Sequence, residues 1–582
     1  MLDPHEGKAE TSRGSLEAPT RYMTRALGDP HEHMTALWSA IGRRGGHVVA
    51  LLTVIVLAAG LRVALLDRQG LWADELFSLA IATGHSLEHP AAEADPTQGD
   101  YVEAPTALPA SAFRRYLEHE NPPAGFRRVV RAVRLSDTSP PLYYLLLNGW
   151  TRLAGVSDAS IRLLSVLWAL ASIPVLWLIA RRVAGEAAAL PAVVLFAVNP
   201  LGLYHSVEGR MYALGPFLVV SLVALTLALG TRNAKLWLVG PWAALSAAAL
   251  LTHYFLCFVW IACVSWLAIT PTRIRRTWLA GGVVITALLV LPWYAVMPET
   301  LDRWRVTWYW LYTPISLRQA LSAPFWLVWT FLSGQVFGAS PTRFQWLAAF
   351  AFGVVAVALG LGLGRRLFSG ERGLVWLWVV AASTGPVVFD LLRGTNTSAI
   401  PRYALAGLPG VLILAAVGLS RLQLGGRVVV LLAILLAWSS GVRAILHLPS
   451  LQYDPYREVA ANLNATVTGE DLVLVHSIPS GVLGIARYVN GAMMVASWVG
   501  QLGQRRVPAD AEALTEGRAK VIVVRIHEVG EPAPEYSWLR VHARLIDESR
   551  RQAARVSAFQ PRSGERFVWG QARGSTPKAD GR

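Results

Sequence analysis

The sequence predicts an all-α bundle of about eleven membrane-spanning helices, followed by a small extracytoplasmic α/β domain. Three observations predict this fold class: the apolar composition, the recurrence of long apolar runs, and the placement of basic residues between those runs. The 582 residues are 54% hydrophobic and only 16% charged, whereas about a quarter of the residues of a typical soluble protein are charged. We therefore expect a polytopic membrane protein.

Apolar runs of spanning length recur along the chain. A helix needs about 20 mainly apolar residues to cross a bilayer. The runs that approach this length cover residues 48–66, 160–180, 187–203, 212–230, 236–252, 254–270, 278–296, 345–363, 373–391, 403–419 and 427–446. Two shorter segments, Leu142–Leu153 and Ala323–Gly338, are expected to lie along the interface or to re-enter, since a helix of about 12 residues is only about 18 Å long. Tyr143 and Tyr144 of the first segment suit an interfacial aromatic belt.

The basic residues indicate how the bundle is oriented. Clusters such as Arg181-Arg182, Arg275-Arg276 and Arg365-Arg366 fall in loops on one side, which the positive-inside bias places in the cytoplasm. The net charge of +15 is thus a topology signal and does not indicate nucleic-acid binding. Residues 1–45 carry mixed charge and do not resemble a secretory signal, so we expect a disordered cytoplasmic tail.

Two large regions are expected outside. Within a membrane domain of residues 46–446, residues 67–159 form a long first outer loop with interfacial helices. Residues 447–582 form the C-terminal extracytoplasmic domain. Its alternation of elements is typical of a small α/β domain. These elements are the strand-like runs Leu472–His476 and Val521–Ile526 and the helical pattern Tyr456–Val467.

Two adjacent carboxylates, Asp74 and Glu75, follow the first apolar run. One interpretation is that Asp74 only caps a short helix, since Asp is a favoured N-cap residue. The other is catalytic. Neighbouring helical side chains diverge by about 100°, whereas retaining glycosidases need two carboxyl groups converging at about 5 Å. The pair therefore favours one general base with a supporting acid over a nucleophile and acid pair. For a substrate that is a sugar, this arrangement predicts inversion at the reacting carbon.

Arginines at the outer ends of the runs are candidates for binding a phosphate. Arg210 and Arg402 lie on the outer side, against the general bias, and guanidinium groups bind phosphate oxygens through paired donors. The alternative is that they pair with Glu208 or Asp390 in helix packing. Arg62, inside the first run, is a further candidate, with snorkelling to the interface as its alternative.

These groups suit transfer of a group that arrives through the membrane. The four lysines do not form a P-loop, and nucleotide-activated donors lie on the other side. A lipid phosphate ester of a sugar could supply the activated group. Phosphate is a good leaving group, so one carboxylate to deprotonate the acceptor hydroxyl and cations to neutralise the phosphate would suffice.

The sequence requires no cofactor. His205, Glu208 and His253 are candidate ligands for a divalent metal, but they lack a zinc-type spacing, and ordinary hydrogen-bonding histidines are the alternative. Cys257 and Cys263 are six residues apart on one apolar run, so a disulfide between them is geometrically excluded.

Five motifs in order resemble the membrane glycosyltransferases of the GT-C superfamily, and more narrowly the bacterial branch related to protein O-mannosyltransferases and the lipid A aminoarabinose transferase. The resemblance covers about residues 48–446. The motifs are Asp74-Glu75, Ser139-Pro140-Pro141-Leu142-Tyr143-Tyr144, Ser206-x-Glu208-x-Arg210-Met211-Tyr212-Ala213, Thr252-His253-Tyr254 and Arg402-Tyr403.

This resemblance implies transfer of one sugar from a polyprenyl-phosphate donor to an acceptor hydroxyl outside a bacterial plasma membrane. It implies that Asp74 is the base, that Glu75 completes that motif, and that Glu208 and Arg210 lie in the second motif loop. Tyr212 lies in the same motif as Glu208 and Arg210, and His253 and Tyr403 fall in the last two motifs. We expect Tyr212, His253 and Tyr403 to contact the substrate.

Two features depart from the family pattern. This chain has Ser139 where members commonly have His, and residues 85–135 form an insertion beside Asp74 that we expect to shape acceptor choice. The acceptor, whether lipid, cell-wall glycan or protein, stays open. The rival function is a transporter or flippase for a lipid-linked saccharide. Transporters usually place such groups near the bilayer midplane, whereas these groups gather at the outer rim.

Overall fold

The computed structural model describes residues 30–89, 94–137, 139–297, 311–336, 344–447, 454–528 and 533–569. It divides into two compact units, Met1–Val54 and Ile55–Arg582. The described part of the first unit is helical, and the second unit contains the remaining helices and the sheet.

Helices dominate the described residues up to His447. In chain order they are α1 Pro30–Val63, α2 Ala73–Ala82, α3 Ala110–Arg114, α4 Phe126–Ser136, α5 Leu142–Ala154, α6 Asp158–Ala184, α7 Glu186–Val198, α8 Pro200–Ser206, α9 Leu214–Leu229, α10 Val239–Leu250, α11 Leu256–Ile269, α12 Arg276–Tyr294, α13 Leu317–Ser333, α14 Phe344–Leu363, α15 Glu371–Arg393, α16 Leu408–Leu419 and α17 Leu424–His447. A 3-10 helix, Pro401–Gly407, leads directly into α16.

The multi-pass helical architecture is confirmed, but the count of eleven spans is not. Seven helices in the described residues are long and apolar enough to cross a membrane, and the bent pair α7–α8 would make an eighth. The pair bends by 58° because Pro200 cannot donate to the preceding turn and Asn199 caps the new helix through the Gly202 N–H. The apolar helices of residues 214–229, 236–250 and 256–269 are shorter than a full span.

Two tyrosines of the first short segment are placed differently from the prediction. The segment forms α5, but Tyr143 and Tyr144 are fully buried, so their predicted role in an interfacial belt is wrong. Tyr144 can be buried because its hydroxyl donates to the Asp137 carboxylate inside the protein, at 2.6 Å. The second short segment falls largely in α13, and its last residues lie outside the described ranges.

The N-terminal tail also departs from the prediction over part of its length. Residues 30–45 are helical and continue into the first apolar run as α1. The spacing of Met34, Leu37, Trp38 and Ile41 is the period of an amphipathic helix, which accounts for this extension. Residues 1–29 lie outside the described ranges, and the domain boundaries predicted from the sequence stay a prediction.

The described C-terminal residues form an α/β fold, as predicted. They supply five strands of a six-stranded sheet. Its order is β1-β3-β2-β4-β6-β5, with β2 parallel to both β3 and β4 and the outer pairs antiparallel. Its elements are β1 Leu108–Pro109, β2 Leu472–His476, β3 Met494–Trp498, β4 Val521–Arg525, β5 Arg544–Arg551, β6 Ala554–Gln560, α18 Tyr456–Thr466, α19 Pro479–Tyr488, α20 Ala509–Thr515 and α21 Pro534–His542.

One edge of this sheet comes from the loop of residues 67–159. Strand β1 lies in the insertion of residues 85–135 and pairs antiparallel with β3, Leu108 opposite Val495. In the same loop, the Glu103 carboxylate accepts the Val499 N–H at 2.8 Å. The insertion, which the sequence left without a structural role, thus joins the loop of residues 67–159 to the C-terminal domain.

Arg114 makes a second contact between the insertion of residues 85–135 and the C-terminal domain. Its guanidinium donates to the carbonyl oxygens of Ala486 and Val489, at 3.1 Å and 2.5 Å. Both carbonyls lie at the C-terminal end of α19, where helical carbonyls lack partners of their own. Because Arg114 satisfies them, it ties the insertion to α19.

We expect Arg114→Ala to lower the stability of the protein by about 1–3 kcal/mol, since it leaves two carbonyls without their charged donor. Thermal unfolding of the purified protein in detergent measures this effect. Arg115→Ala is the matched control, because exposed Arg115 contacts Tyr116 within its own segment. Equal unfolding temperatures for the two variants would contradict the prediction.

Candidate active site

Helix α2 carries the acidic pair in its first turn. Trp72, in an extended conformation, occupies the N-cap position, and its N–H donates to Glu75 Oε2 at 3.2 Å. The alternative that Asp74 acts as the cap is therefore wrong. Acidic groups at positions 74 and 75 suit the positive end of the helix dipole, which explains why the helix begins there.

Glu75 forms the most extensive ion pair near the site. It is fully buried, and Arg162 of α6 donates to both of its oxygens, from Nε at 2.8 Å and from Nη2 at 2.6 Å. Its Oε1 also accepts the Gly209 N–H at 2.7 Å. Glu75 thus joins α2, α6 and the loop before α9. Its predicted catalytic role stays a prediction, and its contacts are those of a positioning residue.

The sequence interpretation missed Arg162, although a signal was present. Arg162 lies near the start of the apolar run of residues 160–180, and an ionisable residue there calls for an internal partner. It also donates to the carbonyls of Leu66, Gln69 and Gly70. The segment between α1 and α2 is therefore wrapped around one guanidinium.

Asp74 points away from this pair and towards a cavity. Its Oδ2 lies 3.8 Å from Nη2 of Arg402, and about a fifth of its side chain is exposed. Burial raises the pKa of Asp74, while the positive charges of Arg210 and Arg402 oppose the rise. Asp74 is thus a carboxylate with a nearby cation.

Arg210 is held by a network of buried polar groups. Its Nη1 lies 3.1 Å from Asp137 Oδ2, 3.0 Å from the Ser78 hydroxyl and 3.0 Å from the Tyr144 hydroxyl. The Ser139 N–H donates to the other Asp137 oxygen at 2.8 Å. Burial alone would raise the pKa of Asp137, but Arg210 and the Tyr144 hydroxyl hold it below its usual range.

Arg210 therefore pairs with Asp137. It does not pair with Glu208 or Asp390, the two partners that the sequence offered as alternatives. Glu208 pairs with His205, whose Nδ1 lies 2.6 Å from its carboxylate. Asp390 accepts the Thr397 N–H at 2.6 Å and the Ser398 N–H at 2.8 Å. Asp390 thus orders the loop after α15.

Arg402 is surrounded by aromatic rings. Its guanidinium carbon lies 5.4 Å from the ring centre of Trp72, 5.6 Å from Tyr212 and 5.7 Å from Tyr403, within cation–π range. Its Nε finds no hydrogen-bond partner in the described part of the chain. Three aromatic rings thus hold the Arg402 guanidinium beside the Asp74 carboxylate.

His253 completes one wall of the cavity. Its ring lies 5.7 Å from that of Tyr403 and 6.4 Å from that of Tyr212. Its Nδ1 accepts the Phe255 N–H at 3.3 Å. Burial lowers the pKa of His253 to about 4, so the ring is neutral at physiological pH and can offer an N–H without adding charge.

Arg62 lies elsewhere. It is 1% exposed, and its Nη1 donates to the carbonyls of Ala197 and Ala58 at 2.9 Å and 3.2 Å. The snorkelling interpretation is therefore wrong. Arg62 and Glu208, both predicted to bind substrate, are not among the described residues that line the cavity.

No group of three or more His, Cys, Asp or Glu side chains within the described ranges could hold a metal ion. His205 is committed to Glu208, and His253 faces aromatic rings. Both cysteines are free. Whether the protein needs a cofactor stays a prediction.

One cavity gathers most of the predicted site residues. It encloses about 800 Å³ of empty space, counted to its open mouth. Of its lining, Asp74, Arg210, Tyr212, His253, Arg402 and Tyr403 were predicted from the sequence. The other lining residues are Asp137, Ser139, Pro140, Tyr254, Phe255, Leu311, Tyr312, Phe389, Thr395 and Thr397. A carboxylate, two guanidiniums and an aromatic wall thus share one space.

Known proteins share this architecture. The model of the dolichyl-phosphate-mannose-protein mannosyltransferase family matches residues 138–295. The crystal structure of ArnT from Cupriavidus metallidurans bound to undecaprenyl phosphate aligns with a TM-score of 0.55 and 16% identity, over 88% of this chain and 98% of that chain. The chain has the GT-C fold. The resemblance to GT-C membrane glycosyltransferases indicated by the sequence motifs is thereby confirmed.

Another GT-C structure aligns over less of its length. The apo oligosaccharyltransferase from Archaeoglobus fulgidus matches with a TM-score of 0.42 and 15% identity, over 81% of this chain and 69% of that chain. A search of curated protein sequences found no significant match.

We expect Arg162→Met to destabilise the protein by about 3–5 kcal/mol, because it leaves the Glu75 carboxylate buried without its partner. The fall in unfolding temperature in detergent measures this loss, and adding Glu75→Gln should recover part of it. Arg181→Met is the matched control in the same helix, since Arg181 pairs with Glu186 at the surface, where ion pairs contribute little. An unchanged unfolding temperature for Arg162→Met would contradict the prediction.

Proposed function

We propose that this chain is a polyprenyl-phosphate-sugar-dependent glycosyltransferase. It moves one sugar to an acceptor hydroxyl at the outer face of a bacterial plasma membrane, with inversion at the sugar carbon. The observation that carries the proposal is the shared cavity of Asp74, Arg210 and Arg402. A carboxylate and two guanidinium groups share that cavity, which supports a displacement in which a base activates the acceptor and cations stabilise the departing phosphate.

Asp74 is the proposed general base. The acceptor hydroxyl gives its proton to Asp74, and its oxygen attacks the anomeric carbon. The bond from that carbon to the phosphate oxygen breaks, and the phosphate leaves with the electron pair. Arg162 and the Gly209 N–H occupy Glu75. The other carboxylate that lines the cavity, Asp137, is engaged by Arg210 and by the Tyr144 hydroxyl, so among the described carboxylates Asp74 is the one placed to act as the base. This supports a single displacement and hence inversion.

Arg402 is the better placed of the two cations to bind the donor phosphate. Arg210 already contacts Asp137, whereas Arg402 is held by rings and lies 3.8 Å from Asp74. A phosphate that draws Arg402 towards itself takes a positive charge away from Asp74. Since that charge lowers the pKa of Asp74, donor binding makes the carboxylate a stronger base as the acceptor arrives.

Two observations support a polyprenyl phosphate as the carrier of the sugar: the ligand of an aligned structure and the side chains that line the cavity. The aligned ArnT structure contains undecaprenyl phosphate, and the cavity of this chain offers guanidiniums together with apolar and aromatic side chains. The acceptor, whether a lipid, a glycan or a protein, stays open. An assay that follows covalent transfer of the sugar separates this function from transport of a lipid-linked saccharide.

We expect Asp74→Asn to lower the transfer rate by about 10²–10⁴-fold, because the amide cannot accept the acceptor proton. The assay follows labelled sugar from a polyprenyl-phosphate donor in proteoliposomes, with protein levels matched. Glu118→Gln is the control, an equivalent neutralisation of an exposed carboxylate in the same outer loop. Transfer by Asp74→Asn at the wild-type rate would exclude Asp74 as the base.

Arg402→Gln should shift the acid limb of the pH profile of kcat/KM to higher pH. Asp74 must be deprotonated to act, so activity falls as the pH drops through its pKa. Removing the positive charge of Arg402, which lowers that pKa, moves the fall upward. The same variant should raise KM for the donor. Arg115→Gln controls for charge loss elsewhere, and an acid limb unchanged from wild type would contradict the assignment.

A further inference from the structure

The C-terminal sheet has a point at which ligands commonly bind. Strand β2 is followed by β3 on one side, and the chain then crosses to β4 on the other side. In open α/β sheets, ligands bind beyond the carboxyl ends of the parallel strands, where the strand order reverses in this way. Here that point lies between the ends of β2 and β4.

The groups near this edge contact the chain's own catalytic segment. His527 lies two residues beyond β4, and its Nε2 is 2.8 Å from Asp454 Oδ1 and 3.1 Å from the Tyr456 hydroxyl. The second oxygen of Asp454 accepts the N–H of Ala73 at 2.9 Å. Ala73 is the first residue of α2 and directly precedes Asp74.

A second contact holds the residues just before α2. The Tyr488 hydroxyl accepts the Leu71 N–H at 2.7 Å and donates to Asp158 at 2.6 Å. Gly70 allows this close approach, since a Cβ there would lie 3.1 Å from the Cβ of Arg457 and 3.2 Å from the Tyr488 ring. The backbone that leads to Asp74 is thus fixed from the C-terminal domain.

We propose that the C-terminal domain clamps the catalytic segment, with Asp454, supported by His527, and Tyr488 as positioning residues that set Asp74 against Arg402. This inference rests on the proposed function, because it takes Asp74 as the base. The N–H groups in the first turn of a helix lack intrahelical partners, so the Asp454 carboxylate fixes the start of α2 directly. A displacement of about 1 Å at a reacting group can cost about a hundredfold in rate.

These residues act through Asp74 and do not touch the substrate. None of the three is among the described residues that line the cavity. We therefore expect their loss to change kcat and to leave the KM for the donor unchanged. Loss of a group that binds the donor would instead raise KM, so the two roles differ in a measurable way.

The test uses the full-length protein in proteoliposomes with a labelled polyprenyl-phosphate sugar. Asp454→Ala should lower kcat by about tenfold to a hundredfold at unchanged donor KM. Asp454→Asn retains an acceptor for the Ala73 N–H and should recover most of the rate, and Tyr488→Phe should lower kcat in the same direction. The matched control is Asp471→Ala. Asp471 is also a buried acid of this domain, but it accepts the Thr468 N–H and pairs with Lys520.

A second readout does not depend on catalysis. Amide hydrogen exchange over residues 67–82 should be faster in Asp454→Ala and Tyr488→Phe than in wild type, and unchanged in Asp471→Ala. Exchange that stays at the wild-type rate in Asp454→Ala would overturn the clamp. So would a kcat within twofold of wild type, or an equal loss of rate in Asp471→Ala.

The two proposals fail in different ways. If wild type transfers no sugar, or if Asp74→Asn transfers it normally, the proposed function is wrong. Hydrogen exchange over residues 67–82 still decides whether the C-terminal domain holds that segment. If wild type is active and Asp74→Asn is inactive but Asp454→Ala retains full kcat, the proposed function stands and the clamp is wrong.

Discussion

The buried pair of Glu75 and Arg162 is the constraint on which the candidate site depends. Two charges held out of water must satisfy each other and their neighbours, and here the bonds reach the N-terminus of α2, the segment after α1 and the Gly209 backbone. These bonds fix the direction in which the first turn of α2 faces. With Glu75 turned inward to Arg162, the adjacent Asp74 is turned towards the cavity.

The two cations of the cavity are balanced in different ways. Arg210 contacts the Asp137 carboxylate and two hydroxyl groups, so its positive charge is largely neutralised within the protein. Arg402 faces ring quadrupoles and a carboxylate at 3.8 Å, which stabilise it less completely. The electrostatic field in the cavity is therefore uneven, and an anion would be drawn towards Arg402.

Composition and periodicity predicted the helical runs and the strands β2 and β4, because burial in lipid or in a sheet core leaves a long apolar signal. Asp74, Arg210 and Arg402, which line the cavity, could be selected as candidates because charges near apolar runs are rare. Asp137 and Arg162 were missed, since one sequence cannot tell which carboxylate meets which guanidinium. Tertiary packing also decided the burial of Tyr143, and β1, with two residues, is too short to leave a pattern.

The pairing of β1 with β3 also has a consequence for biosynthesis. Leu108 is made early and leaves the ribosome before most of the membrane domain exists, whereas its partner Val495 follows the helices of that domain along the chain. The sheet cannot close until the intervening helices have been inserted. The start of α2 then acquires its hydrogen bonds to Asp454 and Tyr488 only after the helices between them have been made, so a chain that stopped before Asp454 would lack these bonds.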